Sequence, residues 1–375
     1  LEFLAIGTDG NPIQNLQYGV TVTDAWMEEM KAGDKSKRKI WAKIIQNRSE
    51  IGFPYIMFKD NSNNNSPYKE LGMDITASNL CSEIQLPTDS YNSFVCCLGS
   101  INVLHWDEIK ETDAIQTYVY FLNAVMDEFI VKSETMPGMK RANNFAKEHR
   151  AIGLGVLGYH SLFQSKLIEF DSIQAKGLNA QIFSTIKDRS EIASRKLHKE
   201  HGYTSLRNGY ANTTLIAIAP TKSSSFIHGA VSMGIEPIKS NYFIKDLAKS
   251  KTVYKNPFLI DELEKYGMNT DKVWKSILKK DGSVQHLGFP TQGVFKSFVE
   301  ISPKEIVLQA AQRQKYIDQS QSLNLMIDPS VSAKDINKLY MYAWEEGVKT
   351  LYYQFSKSSA QDFARNILEC NSCEG

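Results

Sequence analysis

The chain has 375 residues, 43 basic and 42 acidic, for a formal net charge of +1. That balance provides no global field to draw it to nucleic acid or to an acidic membrane surface, and no apolar run approaches the roughly 18–20 residues that a membrane span needs. Five cysteines, two of them adjacent at Cys96 and Cys97, do not make a secreted disulfide framework and point to a reducing, cytoplasmic setting. The length suits two average domains or one large α/β barrel with appendages. The start, Leu1-Glu2-Phe3-Leu4, has neither a basic segment nor a long apolar core, so no signal peptide is read there. It also lacks an initiator Met, so the numbering is read as beginning at a processed or internal point.

In chain order, the basic run Lys35-Ser36-Lys37-Arg38-Lys39 lies among acidic residues and reads as a solvated helix face. Ile40, Trp41, Ile44 and Ile45 then give an amphipathic helix over Lys39 to Arg48. Asp60 to Pro67 is a loop by composition. Ser78-Asn79-Leu80-Cys81-Ser82-Glu83-Ile84 reads as extended, with Asn79, Cys81 and Glu83 on one side. An amide, a thiol and a carboxylate in a row are costly to bury unpaired but suit a ligand bearing hydroxyls. Leu86 to Ser90 reads as a turn, and a second apolar run carries Cys96 and Cys97 on to Asn102. A helix is predicted from Thr112, with Ile115, Tyr118, Leu122, Val125, Met126 and Phe129 at helical spacing. Another runs from Asp171 to about His198, opened by Asp171-x-x-Gln174. Thr214 to Ala219 is a short continuous apolar run, as in a strand covered on both faces. Ser302-Pro303-Lys304-Glu305 reads as a capping box with proline at the first helical position. Ser332-x-x-Asp335 opens a helix that Gly347 closes, and a strand follows from Val348 to Gln354. Helix, glycine stop and strand make an α/β rhythm. No internal repeat is present.

Three further motifs bear on function. Gly153-x-Gly155-x-x-Gly158 matches a dinucleotide pattern, but Lys147 to Arg150 before it is not a buried strand, so the glycines are read as sites of close backbone packing. Pro220-Thr221-Lys222-Ser223-Ser224-Ser225 follows the buried run. It offers hydroxyls and, if a helix starts there, an anion site beside Lys222; a capping loop without ligand is the alternative. Cys370-x-x-Cys373 has no second pair to complete a zinc site and reads as an exchanging dithiol or an inert tail. Tyr352 and Tyr353 on a strand would face opposite ways, as core aromatics do.

Asn79-Leu80-Cys81-Ser82-Glu83, Cys96 to Asn102, Met233-Gly234-Ile235-Glu236-Pro237, Lys349 to Gln354 and the terminal C-x-x-C, in that order, resemble the large (catalytic) subunit of class I ribonucleotide reductase. The match runs from about residue 20 to the end, and the Leu-Tyr-Tyr-Gln form looks like the Ia type. The resemblance implies a ten-stranded α/β barrel of two half-barrels. Here residues 1–365 would supply the finger loop, second half-barrel and C-terminal helices, and 366–375 a flexible redox tail. It also implies roles. Cys81 is the radical thiol, Glu83 the base at the ribose 3′-hydroxyl, and Asn79 with Ser78 binds ribose. Cys96 is one of the two thiols that reduce the 2′ carbon, Cys97 being the spare. Tyr352 and Tyr353 relay the radical, Cys370 and Cys373 re-reduce the site, and Thr221, Lys222, Ser223, Ser224 and Ser225 hold substrate phosphates. Lys222 stands where some relatives carry Glu.

The reaction so implied is thiyl-radical reduction of ribonucleoside diphosphates to deoxyribonucleotides for DNA synthesis, with no metal in this chain. The expected partners are a small (beta) subunit bearing a radical-generating metal centre, of the di-iron/tyrosyl kind, and thioredoxin or glutaredoxin as reductant. Large subunits are expected to form a homo-oligomer. The family's second active-site cysteine lies upstream of the N-x-C-x-E stretch, and no cysteine precedes Cys81. An N-terminal half is therefore an expected partner too. The competing expectations are a non-catalytic assembly fragment of the same subunit, and a zinc module using Cys96, Cys97, Cys370 and Cys373.

Overall fold

A computed structural model describes residues 2–247 and 250–356. Its strands are β1 (Gly19–Val22), β2 (Tyr55–Phe58), β3 (Leu98–Asn102), β4 (Gly153–Leu157), the β5–β6 hairpin (Tyr242–Leu247 and Ser250–Lys255), β7 (Leu325–Met326), β8 (Thr350–Leu351) and β9 (Gln354–Phe355). Apart from the hairpin, they join into one order. β1 lies parallel to β2, and β2 antiparallel to β8. β9, continuing the β8 segment, lies parallel to β7. Single parallel bridges then link Gln321 to Ile218 and Ile216 to Leu154 of β4, and β4 pairs with β3. Five parallel segments therefore stand side by side (350–355, 319–326, 214–219, β4 and β3), with β1 and β2 running against them at one end. This is the α/β barrel arrangement expected, with the second half-barrel present as a five-segment set.

Strands covered on both faces need apolar side chains both ways. Every residue of β2 and of β4 is buried, as are Leu215 to Ile218. The glycines of β4 set how closely its neighbours lie: a Cβ on Gly155 would come within 2.6 Å of the Ala217 carbonyl oxygen. The glycine pattern is thus a packing device, as read from the sequence. Long helices cover the outer face, among them Lys35–Ile51, Ala114–Ser133, Ile173–His201, Pro303–Gln314 and Ala333–Glu345. None of the described helices is long and apolar enough to cross a membrane.

Several local expectations change. The asparagine-rich segment forms a short helix, Lys59–Asn64, because Asn63 exchanges hydrogen bonds with the Ile75 backbone and Asn61 Nδ2 donates to the Trp344 and Val348 carbonyls. The Ile173–His201 helix is capped by Ser172, whose Oγ accepts from Ala175 N, while Asp171 accepts from Lys296. The box at Ser302 is not closed, since Glu305 pairs with Lys176 instead; Pro303 keeps its place, and the box forms at Ser297 and Glu300. On the Ala114–Ser133 helix Ile115, Leu122 and Met126 are buried, but Val125 is exposed, its position lying just past the core stripe.

The packing argument predicts that Gly155→Ala lowers unfolding free energy by about 1–3 kcal/mol in chemical denaturation, through overpacking against Ala217. An unchanged midpoint would mean that the strands have room to spare.

Candidate active site

The Ser78–Ile84 stretch is a pinned turn rather than a strand. Ser82 N donates to Asn79 O (3.2 Å), Asn79 N to Ile84 O (3.2 Å), and Ile84 N to the Asn79 side-chain oxygen (3.1 Å). Ser82 takes a positive φ of 69°, a conformation that costs a non-glycine residue about 1 kcal/mol or more. The two neighbouring strand segments hold it there. Ser320 N donates to Glu83 O (2.9 Å), Ser322 Oγ to Cys81 O (2.6 Å), and Thr350 Oγ1 to Ser82 O (3.1 Å). The turn thereby places Asn79, Cys81 and Glu83 on the wall of one cleft of about 580 Å³.

Cys96, Gly99 and Ser100 line the same cleft, and so do Thr221, Lys222, Ser223 and Ser224 opposite. The short α-helix at that loop, Ser224–Ile227, is too brief to supply a dipole, so the loop presents hydroxyls and Lys222 to the cleft. Thr221 has a φ of 53°, and its Oγ1 accepts from Gly234 N (2.8 Å). Gly234 itself has φ 46°, and a Cβ there would meet the Ala219 carbonyl at 2.9 Å, so the Met233-Gly234 turn backs the loop closely. Two expected members fall outside. Ser225 is buried with its hydroxyl donating to Lys222 O (3.0 Å), and Ser78 lines a different cavity on the β1 side. Cys97 turns from the cleft, with its Sγ 3.6 Å from the Leu122 carbonyl, so Cys96 alone of the adjacent pair faces inward. Cys370 and Cys373 lie outside the described residues.

Burial pushes the Glu83 carboxyl up to about 7, against hydrogen bonds from its own backbone, Asn79 and Ser322 that favour the ionised form. Ser322 has one hydroxyl proton and lies against two acceptors, Cys81 O (2.6 Å) and Glu83 Oε2 (3.2 Å). A protonated Glu83 satisfies the second contact with its own proton. Desolvation of its sulfur against the cleft wall and the neighbouring Glu83 push the Cys96 thiol to about 11, although the residue as a whole is exposed.

Behind the turn, the tyrosine pair departs from the alternation expected of a strand. The strand is interrupted between β8 and β9 at Tyr352 and Tyr353, and their rings lie 4.5 Å apart at 54°. A third ring, missed in the sequence, completes a cluster: Tyr55 is 4.7 Å from Tyr352 and 5.0 Å from Tyr353. Burial raises the Tyr55 phenol far above its ordinary range, with Tyr353, Tyr352 and Cys81 adding to the effect. Tyr118 and His228 also line the cleft unannounced, as a helical core residue and an isolated histidine give no sequence signal.

Comparison with known proteins bears on this arrangement. Residues 34–207 and 205–354 match the family model "Ribonucleotide reductase, barrel domain". The chain belongs to the class I ribonucleotide reductase large-subunit family. It is 37% identical to the ribonucleoside-diphosphate reductase large subunit of Invertebrate iridescent virus 3 over 90% of this chain and 56% of that one. With the large subunit of Caenorhabditis elegans the figures are 31%, 89% and 48%. The chain thus spans about half the length of these two relatives. Among solved structures, the Actinobacillus ureae class Id ribonucleotide reductase alpha subunit superposes with a TM-score of 0.90 at 50% identity, over 99% of this chain and 69% of that one. In this fold the cleft lies where β3, the end of β4 and the end of the 214–219 segment meet the Ser78–Ile84 turn.

The Glu83 environment has a measurable consequence. Its folded pKa lies above its unfolded one, so the associated stability is full below about 4.5 and is lost as pH rises through about 7, a loss of about 3 kcal/mol. Glu83→Gln should remove that pH dependence in denaturation measured at pH 5 and pH 8. A parallel fall in parent and variant would place the titration elsewhere.

Proposed function

We propose that this chain carries the radical chemistry of a ribonucleoside-diphosphate reductase. The observation that carries the reading is the convergence on one cleft of Asn79, Cys81, Glu83 and Cys96 with the Thr221–Ser224 loop. A ribose seated among the first group, with its diphosphate on the loop and Lys222, matches that division of polar groups. The Cys81 sulfur, once oxidised to a thiyl radical, takes the 3′ hydrogen atom, and Glu83 as carboxylate takes the 3′-hydroxyl proton. Asn79 orients the ribose hydroxyls. The 2′-hydroxyl then leaves as water, and two thiols deliver two electrons and two protons as they join in a disulfide. The net change converts a ribonucleotide and a dithiol to a deoxyribonucleotide, a disulfide and water, and Cys81 returns the hydrogen atom to the 3′ carbon, which regenerates the thiyl radical.

Cys96 is one of the reducing thiols. Its sequence neighbour Cys97 faces away, which supports a second thiol from outside this chain. An N-terminal polypeptide pairing along β1 and β3, each of which has one strand neighbour among the described residues, is the fitting source. Tyr353, Tyr352 and Tyr55 form the inward path from a small subunit whose metal centre supplies the radical. Short hops between phenols of similar potential cover a distance that no single step would cross. Residues 366–375 would act as the tail through which Cys370 and Cys373 pass electrons from thioredoxin or glutaredoxin, in a cytoplasm that keeps them reduced.

In a complex of this chain with an N-terminal half, small subunit and dithiol, Cys81→Ser should abolish product while nucleotide binding stays within about twofold of parent. Tyr352→Phe should stop turnover without shifting the denaturation midpoint beyond the ±0.5 kcal/mol or so of a neutral change. Full activity in either variant, or product formation by this chain with small subunit and dithiol alone, contradicts the assignment.

A further inference from the structure

The motif Met233-Gly234-Ile235-Glu236-Pro237 is only partly accounted for by its support of the Thr221 loop. Its glutamate is buried, and its Oε1 has no hydrogen-bond partner among the described residues. Leaving a carboxyl oxygen unsatisfied is expensive, and an apolar residue of similar size would avoid the cost. Its other oxygen, Oε2, accepts from Asn324 Nδ2 at 2.7 Å. The Asn324 Oδ1 in turn accepts from Tyr353 N at 3.2 Å.

That last contact is unusual for its setting. Around the interruption the neighbouring segment keeps its backbone ladder: Tyr352 N donates to Leu323 O (2.9 Å), and Leu325 N to Tyr353 O (2.9 Å). The Tyr353 N–H bonds a side chain instead. A continuous strand would send the two phenols to opposite faces; the interruption brings them together. Its far side is held by Arg48, whose Nη1 donates to Tyr352 O (2.8 Å). An asparagine amide presents its oxygen to one partner reliably only when its NH₂ group is also engaged. Glu236 is that engagement.

Resting on the relay reading above, we propose that Glu236 is a positioning residue for the outer tyrosine: by orienting Asn324 it fixes the Tyr353 amide, and with it the break that turns both phenol rings to one side. It works as a hydrogen-bond acceptor. The motif thus serves both ends of the site, Gly234 steadying the phosphate loop and Glu236 the relay.

The test uses the assembled reductase, with hydrogen exchange read at the Tyr353 amide and 3-aminotyrosine at position 352 as a radical trap. In Glu236→Ala, exchange at Tyr353 should quicken about tenfold, and the trapped-radical yield at 352 should fall about tenfold, with nucleotide binding unchanged. Glu236→Gln keeps an acceptor oxygen for Asn324 and should restore both to within about twofold of parent. Unchanged protection in Glu236→Ala overturns the proposal, as does Glu236→Gln behaving like Glu236→Ala, which would assign the role to charge. Should Glu236→Ala not fold, Asn324→Ala should give the same quickened exchange, and normal protection there overturns the proposal equally. A parent complex that traps no radical at 352 refutes the relay itself, while the exchange measurement still decides whether Glu236 holds Tyr353.

Discussion

Three hydrogen bonds from two strand segments hold the active turn in place: Ser320 N to Glu83 O, Ser322 Oγ to Cys81 O, and Thr350 Oγ1 to Ser82 O. Each such bond contributes only about 1 kcal/mol net, yet together they sustain a backbone conformation that Ser82 would not adopt alone. They also decide geometry. The turn rests on the strand that begins at Thr350 and carries Tyr352 and Tyr353 two and three residues on, so the Cys81 thiol and the tyrosine pair share one support. Under the proposed function, a radical thiol and its phenol donors must keep a fixed separation, and here a single strand would set it.

The electrostatics of the site follow from its enclosure. Glu83 is buried beside groups that favour its charge but do not overcome desolvation, and it is poised near 7. Under the proposed function, a base at that value would take a proton from a hydroxyl during reaction and return it afterwards. Cys96, raised to about 11, remains a thiol with a hydrogen to give. Desolvation is the largest cause of the rise in both groups.

Much of the scaffold was legible because local chemistry decided it. The Ser332 cap and the Gly347 stop depend on residues within a few positions and appear as read, while the run 214–219 is buried as far as Ile218 but joins its neighbours only through single bridges at Ile216 and Ile218. The motifs pointed to Cys81, Glu83 and Cys96, which line one cleft, because the family resemblance carried tertiary information that spacing lacks. What failed depended on distant partners. Period-two reasoning made the Ser78–Ile84 stretch a strand, since nothing local reveals that Ser320, Ser322 and Thr350 would bend it. The same reasoning separated Tyr352 from Tyr353, because the Asn324 side chain that receives the Tyr353 N–H lies 29 residues earlier. Tyr55 sits in a buried strand like any core aromatic, and only its neighbours make it part of the cluster. Asp171 lost its cap to Ser172 for a similar reason, being drawn to Lys296.

The central claim is that the Cys81 sulfur removes hydrogen from the ribose 3′ carbon. Competition between a 3′-deuterated ribonucleoside diphosphate and its unlabelled form in the assembled complex tests it most directly. The account predicts that the deuterated nucleotide is consumed more slowly and that its label is recovered at the 3′ position of the deoxyribonucleotide. Equal consumption of the two during steady turnover, with the label lost to solvent, would contradict it.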